Sequence, residues 1–146
     1  MTKKITIAID AMGGENSPKK NIEGLNMFLK KNKSNDFFIH LYGDEKSIKK
    51  ELSLVNASTE NIKIIHSEGV VSDEESPMKA VKSSKNTSMW NSVSAQVDGN
   101  ADISLSAGNT GVLLVISRMI LKMMNEVSKP ALAGLWPSKK GMTVVL

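Results

Sequence analysis

The sequence contains no cysteine. This absence excludes disulfide bonds, thiolate metal sites and an acyl-enzyme on a cysteine, and it is typical of a chain kept in a reducing, cytoplasmic compartment. Histidine is also rare, because only His40 and His66 are present and they lie far apart along the chain. Neither has carboxylates at metal-ligand spacing, and the acidic run at positions 73–75 belongs to a loop, so we expect no metal site.

Arginine and aromatic side chains are scarce. Arg118 is the single arginine, and aromatic residues make up 4% of the chain. The net charge of +4 therefore rests on lysines scattered along the sequence. Nucleic-acid surfaces usually combine clustered basic residues with aromatic side chains, so the pattern predicts no nucleic-acid partner. A solvated, lysine-rich surface explains the charge, and a surface that attracts an acidic protein is the second interpretation.

The sequence also lacks a long hydrophobic run. The longest apolar stretch, Val112 to Met124, is interrupted by Arg118 and Lys122. It is shorter than the ~20 residues that a membrane-spanning helix needs. The first residues lead from lysines directly into an alternating strand pattern, without the features of an export signal. We expect no transmembrane segment, a cytoplasmic location, and a buried helix over Val112 to Met124.

What is present is the composition of a globular domain. The 146 residues are 40% hydrophobic and 23% charged, which suffices for the core of a single domain. Runs of strand length alternate with stretches of helical spacing, and this predicts an α/β fold: a mostly parallel sheet with helices on both faces. The predicted strands begin near Ile5, Phe37, Asn61, Ala101, Pro130 and Met142, and the predicted helices begin near Pro18, Asp44, Pro77, Ser88 and Val112.

Two serine-proline pairs mark helix starts. Ser17 precedes Pro18, and Ser76 precedes Pro77. In each pair we expect the serine to be the N-cap and the proline to occupy the first helical position, where its missing N–H costs nothing.

Two glycine turns follow predicted strands. Asp10 ends the first strand and precedes Gly13 and Gly14, and the segment Ser106 to Gly111 follows a later strand. Carboxyl ends of parallel strands share one edge, and ligands bind there where the strand order reverses. Glycine lets backbone amides approach a ligand, and the next helix directs its positive end to the same place, so both turns suit a phosphate group. Side-chain donors are available from Ser106, Asn109 and Thr110.

The turns also have a purely structural interpretation. Glycines can simply form the corner between Ser106 and Gly111, with Asn109 or Thr110 capping the helix. The spacing matches neither the Walker pattern nor the dinucleotide fingerprint. Asp10 can accept hydrogen bonds from amides of its own loop. The residues alone leave the anion-binding and structural interpretations open.

Other polar candidates are equally ambiguous. His66 lies at a strand end, on the expected ligand edge, but an isolated histidine usually has structural partners. The row Lys79, Lys82 and Lys85 on a predicted helix is either a solvated face or an anion clamp. No G-x-S-x-G elbow is present, so a hydrolase triad is not supported.

Four segments carry a resemblance to a known family. They are "AIDAMGGENSP" near the start, "SPMKAVKSSKNTSM" in the middle, "ADISLSAGNTGVLL", and "KPALAGLWPSKKGMTVVL" at the end. In order and spacing they resemble the hallmark segments of the acyl-ACP:phosphate acyltransferase (PlsX) family of bacterial phospholipid synthesis. The resemblance covers the whole chain, and its most specific motifs are D-x-M-G-G and S-A-G-N-T-G.

The resemblance implies an enzyme that needs no nucleophilic side chain. Family members transfer a fatty acyl group from acyl carrier protein to inorganic phosphate, and phosphate itself attacks the thioester. The implied catalytic residues are Asn109, Lys82 and Asp10, and the implied phosphate- or substrate-binding residues are Gly13, Gly14, Ser106, Gly108, Thr110 and Gly111. The family also implies a fold like that of phosphotransacetylase and isopropylmalate dehydrogenase, a homodimer, no cofactor, and a cytoplasmic location that in full-length members extends to the membrane periphery.

The sequence departs from the family in two respects. Family chains are much longer, so we expect residues 1–146 to form a single α/β domain that is the incomplete N-terminal half of a longer one. The family usually has a glycine before the Ser-Met pair, where this sequence has Asn86 and Thr87. A non-catalytic remnant or interaction module of the same family is therefore the second functional hypothesis, and generic nucleotide binding is a third.

Overall fold

A parallel sheet of four strands organises the chain in a computed structural model that describes residues 4–32, 36–72 and 76–146. The strand order is β3-β2-β1-β4. The strands of this sheet are β1 (Ile5–Asp10), β2 (Phe37–Gly43), β3 (Ile62–His66) and β4 (Ile103–Ser106). The helices are α1 (Lys19–Lys31), α2 (Glu45–Leu54), α3 (Pro77–Ser83), α4 (Ser88–Val97) and α5 (Thr110–Leu121).

The strand order reverses beside β1. The chain places β2 and then β3 on one side of β1, and it returns to place β4 on the other side. In the register of β1 and β4, Asp10 lies next to Ser106 at the carboxyl edge. The crevice outside two such strand ends is the place where open α/β sheets bind ligands. Both glycine turns begin at this crevice, as the sequence predicts.

Helices cover both faces of the sheet, so the predicted fold class is confirmed. Successive residues of a strand point to opposite faces. On one face, the strands pack against α1 and α2 through Ile22, Leu25, Ile39, Leu41, Ile48 and Leu52. On the other face, Ala95 of α4 packs with Ala8 and Tyr42.

Helix α5 forms an outer layer on α3 and α4. It buries Val112 and Ile116 in the core that these helices share. The helix ends at Leu121, and the prediction of a buried helix reaching Met124 is wrong. Met119 is 55% exposed because only one side of α5 packs against other helices, and Met124, beyond the end of the helix, is 79% exposed.

The last two predicted strands form a hairpin of their own. Strands β5 (Gly134–Ser138) and β6 (Gly141–Val145) pair antiparallel, in a sheet separate from the four parallel strands. Every residue of both strands is exposed. The turn between them contains Lys139 and Lys140.

One of the two predicted serine-proline helix starts is confirmed. Ser76 is the N-cap of α3, and Pro77 is its first residue. In α1, however, Pro18 occupies the N-cap position and the helix begins at Lys19. The Ser17 hydroxyl instead donates a 2.6 Å hydrogen bond to the carbonyl of Met12. Ser17 therefore ties down the first glycine turn, and its predicted capping role is wrong.

Among the described residues, no helix is both long enough and apolar enough to cross a membrane.

Candidate active site

Asp10 is the centre of a hydrogen-bonded cluster at the carboxyl ends of β1 and β4. Its side chain is buried, with 1% of its surface exposed. Oδ2 accepts a hydrogen bond from the Ser106 hydroxyl at 2.7 Å, and Oδ1 accepts one from the Met12 N–H at 3.2 Å. The Ser106 oxygen accepts in turn from the N–H of Gly108 at 3.1 Å. Asp10 thereby connects the two turns, which is a structural role whether or not a ligand binds.

Glycine residues allow the two turns to touch. A Cβ on Gly13 would lie 2.5 Å from Asp10 Oδ2 and 2.8 Å from both Ser106 Oγ and the nitrogen of Gly108. Gly14 has a φ of 88°, in the region that favours glycine, and a Cβ there would lie 2.7 Å from the carbonyl oxygen of Ala107. Both positions therefore require glycine for close backbone approach.

Asn21, which the sequence did not single out, holds the first turn against α1. Its side-chain amide donates hydrogen bonds of 2.9 Å to the carbonyls of Ala11 and Gly13. The only signal in the sequence is a polar residue beside the apolar stripe of α1 that contains Ile22 and Leu25. That signal does not identify a partner, because the contact depends on where the turn packs.

The first turn of α5 forms the other side of the crevice. Asn109 is the N-cap, and its Oδ1 accepts a hydrogen bond from the Val112 N–H at 3.1 Å. The next two N–H groups, of Thr110 and Gly111, belong to the first turn of α5, where N–H groups have no carbonyl acceptor inside the helix. These donors and the positive end of the helix make this side of the crevice suitable for an anion. The capping and anion-binding interpretations are compatible, because they use different atoms.

Two residues from neighbouring helices support this turn from behind. A Cβ on Gly108 would lie 2.8 Å from Cε of Met89, at the start of α4. A Cβ on Gly111 would lie 2.9 Å from Cγ of Pro77, the first residue of α3. The glycines of the S-A-G-N-T-G segment are therefore packed against α3 and α4.

The structure does not bring every predicted residue into the crevice. Lys82 is exposed in the last turn of α3, about 8 Å along the helix from Pro77, which contacts the turn. Lys79 and Lys85 are exposed as well. His66 ends β3, two strands away from β1, and its Nδ1 accepts a hydrogen bond from the N–H of Glu45 at 3.4 Å. This contact gives His66 a structural role at the start of α2.

At Asn86 the sequence departs from the glycine that the family usually has, but the start of α4 is kept. Asn86 has a φ of 68°, in the left-handed region that glycine adopts freely and asparagine tolerates better than most residues. Thr87 then caps α4: its Oγ1 accepts from the Trp90 N–H at 3.2 Å and donates to the Ser84 carbonyl at 2.6 Å. The backbone that suits a glycine is therefore kept.

The described residues contain no group of three or more histidines, cysteines and carboxylates that could hold a metal ion. The acidic run at positions 73–75, which the sequence predicts to be a loop, lies outside the described residues.

Comparison with known proteins identifies the family. A family model with the description "Fatty acid synthesis protein" matches residues 5–146. The chain belongs to the fatty acid synthesis protein family. A phosphate acyltransferase of Pelagibacter ubique is 47% identical over 146 residues, which are 100% of this chain and 43% of that relative. Phosphate acyltransferases of Bradyrhizobium diazoefficiens and Parvibaculum lavamentivorans are 37% and 39% identical over 147 residues, at 41% and 40% of their lengths.

Membership in the fatty acid synthesis protein family confirms the resemblance drawn from the motifs. The match extends from β1 to β6 and so includes both glycine turns. The chain spans about two fifths of the length of the curated relatives it matches, from 40% to 43% in the three named above.

Proposed function

We propose that the chain takes part in transferring a fatty acyl group from acyl carrier protein to inorganic phosphate. An oxygen of phosphate attacks the thioester carbonyl carbon, and the carbon–oxygen bond forms while the carbonyl oxygen becomes an oxyanion. The carbon–sulfur bond then breaks, and the carrier leaves as a thiolate that takes up a proton. The products are an acyl phosphate and free carrier protein, so no protein nucleophile and no cofactor are required.

The observation that carries this proposal is the position of the S-A-G-N-T-G turn. It joins β4 to the first turn of α5 and lies beside Asp10, where the strand order reverses. A dianion placed there meets first-turn N–H groups and the positive end of a twelve-residue helix. The relatives named phosphate acyltransferase match the chain throughout this region.

We assign phosphate binding to the N–H groups of Thr110 and Gly111 and to the side chains of Asn109 and Thr110. Gly13, Gly14, Ser106 and Gly108 shape the crevice, because side chains at the glycines would occupy it or push the turns apart. From its exposed position in the last turn of α3, Lys82 adds positive charge near the crevice without lining it. In the longer relatives we expect a second copy of the chain and acyl carrier protein to complete the assembly, in the cytoplasm or at the membrane periphery.

Asp10 acts in this proposal as a positioning residue. A carboxylate in direct contact with a phosphate dianion would repel it. Asp10 instead accepts a hydrogen bond from the Ser106 hydroxyl, whose oxygen accepts one from the Gly108 N–H. This chain of hydrogen bonds orients the turn toward the ligand. The contribution of Asp10 to turnover is therefore made through Ser106 and the turn.

A binding module without turnover is the second candidate function. The exposure of Lys82, at the far end of α3 from the contact with Gly111, favours it. In that case the turn binds phosphate, but the charge needed for acyl transfer is supplied from elsewhere.

The first test changes Asn109, a residue assigned to phosphate binding, without removing the helix cap. Asp caps helices as well as Asn does, so Asn109→Asp keeps the acceptor for the Val112 N–H while it removes the amide donor and adds negative charge. We expect the parent chain to gain about 2.7 kcal/mol of stability at a phosphate concentration one hundred times the Kd. In Asn109→Asp the melting midpoint without phosphate stays close to that of the parent, and the shift caused by phosphate is lost.

Two controls use the same melting measurement. One has sulfate in place of phosphate, and the other uses the Asp44→Asn variant. Asp44 caps α2 through Ser47 and does not belong to the S-A-G-N-T-G turn, so this variant keeps the phosphate shift. A phosphate shift that persists in Asn109→Asp would refute phosphate binding at this turn.

Turnover separates the two candidate functions. With acyl carrier protein loaded with a fatty acyl group, a catalytic chain releases free carrier in the presence of phosphate, and Lys82→Met slows this release. Lys50→Met, an exposed lysine replaced on α2, is the matched control. Phosphate binding without release of carrier identifies the binding module.

A further inference from the structure

Ser88, the first residue of α4, has a buried hydroxyl that no hydrogen bond uses. The residue is 1% exposed, and its Oγ has no hydrogen-bond partner among the described residues. A buried polar group without a partner costs free energy, so native structures contain few of them and each needs a physical explanation. Alanine would fill nearly the same space in this helical turn without that cost. The hydroxyl therefore opposes the stability of the ligand-free chain.

The start of α4 does not need the Ser88 hydroxyl. Thr87 is the N-cap, and its side chain already accepts a first-turn N–H. The Ser88 N–H donates a 3.0 Å hydrogen bond to the carbonyl of Gly69. Ser92 is just as buried, one turn further along the same side of the helix, but its hydroxyl donates a 2.8 Å hydrogen bond to the Met89 carbonyl. Helix capping and helix hydrogen bonds therefore leave the Ser88 hydroxyl unexplained.

Helix α4 runs opposite to β4, and its first turn lies at the carboxyl edge of the sheet. Two contacts fix this direction. The Ser92 carbonyl, in the second turn, accepts a 2.9 Å hydrogen bond from the Ser104 hydroxyl within β4. Met89, in the first turn, reaches the glycine turn beyond β4, since a Cβ on Gly108 would lie 2.8 Å from its Cε. Ser88, on the same side of α4 as Ser92, therefore lies at the edge that holds the crevice.

We propose that the Ser88 hydroxyl is a further phosphate-binding group, which donates a hydrogen bond to a phosphate oxygen in the bound state. This inference rests on the proposed acyl transfer and adds a binding residue on a second helix. The positive end of α4 then assists that of α5, so two helix N-termini and a neutral donor act on one dianion. Since no hydrogen bond to a described residue holds the Ser88 side chain in its covered position, turning it toward the ligand breaks none.

This role predicts opposite effects of one substitution on stability and on binding. Ser88→Ala removes an unpartnered hydroxyl, so we expect the melting midpoint without phosphate to rise by about 2–4 °C. The variant also lacks a donor to the dianion, so its phosphate dissociation constant, obtained from melting midpoints at several phosphate concentrations, should increase about tenfold. A residue that serves only the fold would show a lower midpoint and an unchanged phosphate affinity.

Ser92→Ala is the matched control on the same helix. It removes a buried hydroxyl that has a partner, so we expect no rise of the melting midpoint and an unchanged phosphate dissociation constant. Ser88→Thr keeps the hydroxyl while it adds a methyl group, and it is expected to keep the phosphate affinity even where the added group lowers the midpoint. Circular dichroism verifies that all variants are folded.

The parent chain and the two alanine variants separate this inference from the proposed function. A phosphate shift in the parent that Ser88→Ala weakens and Ser92→Ala keeps supports the role of Ser88. A parent shift that Ser88→Ala leaves unchanged, or weakens no more than Ser92→Ala does, overturns this role and keeps the phosphate turn. A lower midpoint of Ser88→Ala without phosphate shows that the hydroxyl stabilises the folded chain, and it overturns the role as well. A parent without a phosphate shift refutes the phosphate site itself, and this inference with it.

Discussion

At the scale of residues, the space around Gly13 shows how closely the two turns meet. The missing side chain lets Asp10, Ser106 and Gly108 converge on one point, and a methyl group there would be within 2.8 Å of all three. Asp10 is buried and Gly108 contributes a backbone atom, so neither can move away easily. The crevice therefore depends on the absence of a single carbon atom.

Gly13→Ala is predicted to destabilise the chain by about 2 kcal/mol, because overpacking of a buried site typically costs ~1–3 kcal/mol. Gly24→Ala provides an opposite control: its Cβ meets no atom within 4 Å, and we expect a gain of about 0.5–1 kcal/mol from helix propensity. Urea unfolding midpoints of both variants measure the difference. Equal effects of the two substitutions would contradict the close contact at Gly13.

The sequence identifies those residues of the Asp10 cluster that lie beside a predicted strand along the chain. Asp10 and the glycines follow a strand directly, and their types are unusual for any role other than a turn or a site. Asn21 gives no such signal, and Ser17, for which the sequence predicts a helix cap, instead donates a hydrogen bond to the carbonyl of Met12. Both side chains hydrogen-bond to the backbone of the first turn, and that path is set by packing against the neighbouring loop.

At the scale of elements, the pairing of β2 and β3 places His40 beside a positive charge. His40 lies directly across from Lys63, and both residues border a shallow pocket with Glu60. Burial, and then the charge of Lys63, lower the pKa of His40 below its ordinary value of 6.5. The folded chain thus binds the proton of His40 less readily than the unfolded chain does.

This difference predicts a loss of stability in mild acid. The contribution of neutral His40 is fully present above pH 6.5 and is lost as the pH falls from there toward the lowered pKa of the folded state. The free energy of unfolding, measured with urea between pH 8 and pH 5, should fall less steeply in His40→Gln than in the parent, and Lys63→Gln should reduce the slope partly. Parallel profiles of parent and His40→Gln would show that His40 does not contribute.

For helix α5, the sequence predicts the helix itself but not how much of it is buried. Its apolar residues extend almost around the helix, which is typical of burial on all sides. The structure instead packs one side on α3 and α4 and leaves Met119 and Leu121 exposed. The hydrophobic pattern shows that surface is available for packing, but the number of neighbours depends on the arrangement of whole elements.

At the scale of the whole molecule, the β5–β6 hairpin concentrates exposed apolar surface. Leu135 lies opposite Val144, and Pro137 lies opposite Met142, so one face of the hairpin is apolar throughout. Leu135 is 68% exposed and Val144 is 59% exposed. A two-stranded hairpin with an uncovered apolar face is only marginally stable in water and tends to associate.

We therefore predict that the chain self-associates through this face. Leu135→Glu combined with Val144→Lys removes the apolar contact while it keeps a favourable cross-strand pair. Sedimentation equilibrium should show an average mass that rises with concentration for the parent and stays at that of the monomer for the double variant. Leu54→Glu, at an exposed leucine of α2, is the control. Association that is unchanged in the double variant would place the contact elsewhere.

The sequence by itself determined the elements, the fold class and the two turns at the carboxyl edge. These follow from residues close together along the chain: strand alternation, helical spacing, and glycine or proline at the breaks. Only the tertiary structure decided that β4 returns to the far side of β1 and that Ser106 meets Asp10 across 96 positions. The physical reason is that strand pairing and packing join distant residues, and a local pattern carries no information about which distant surface it will meet.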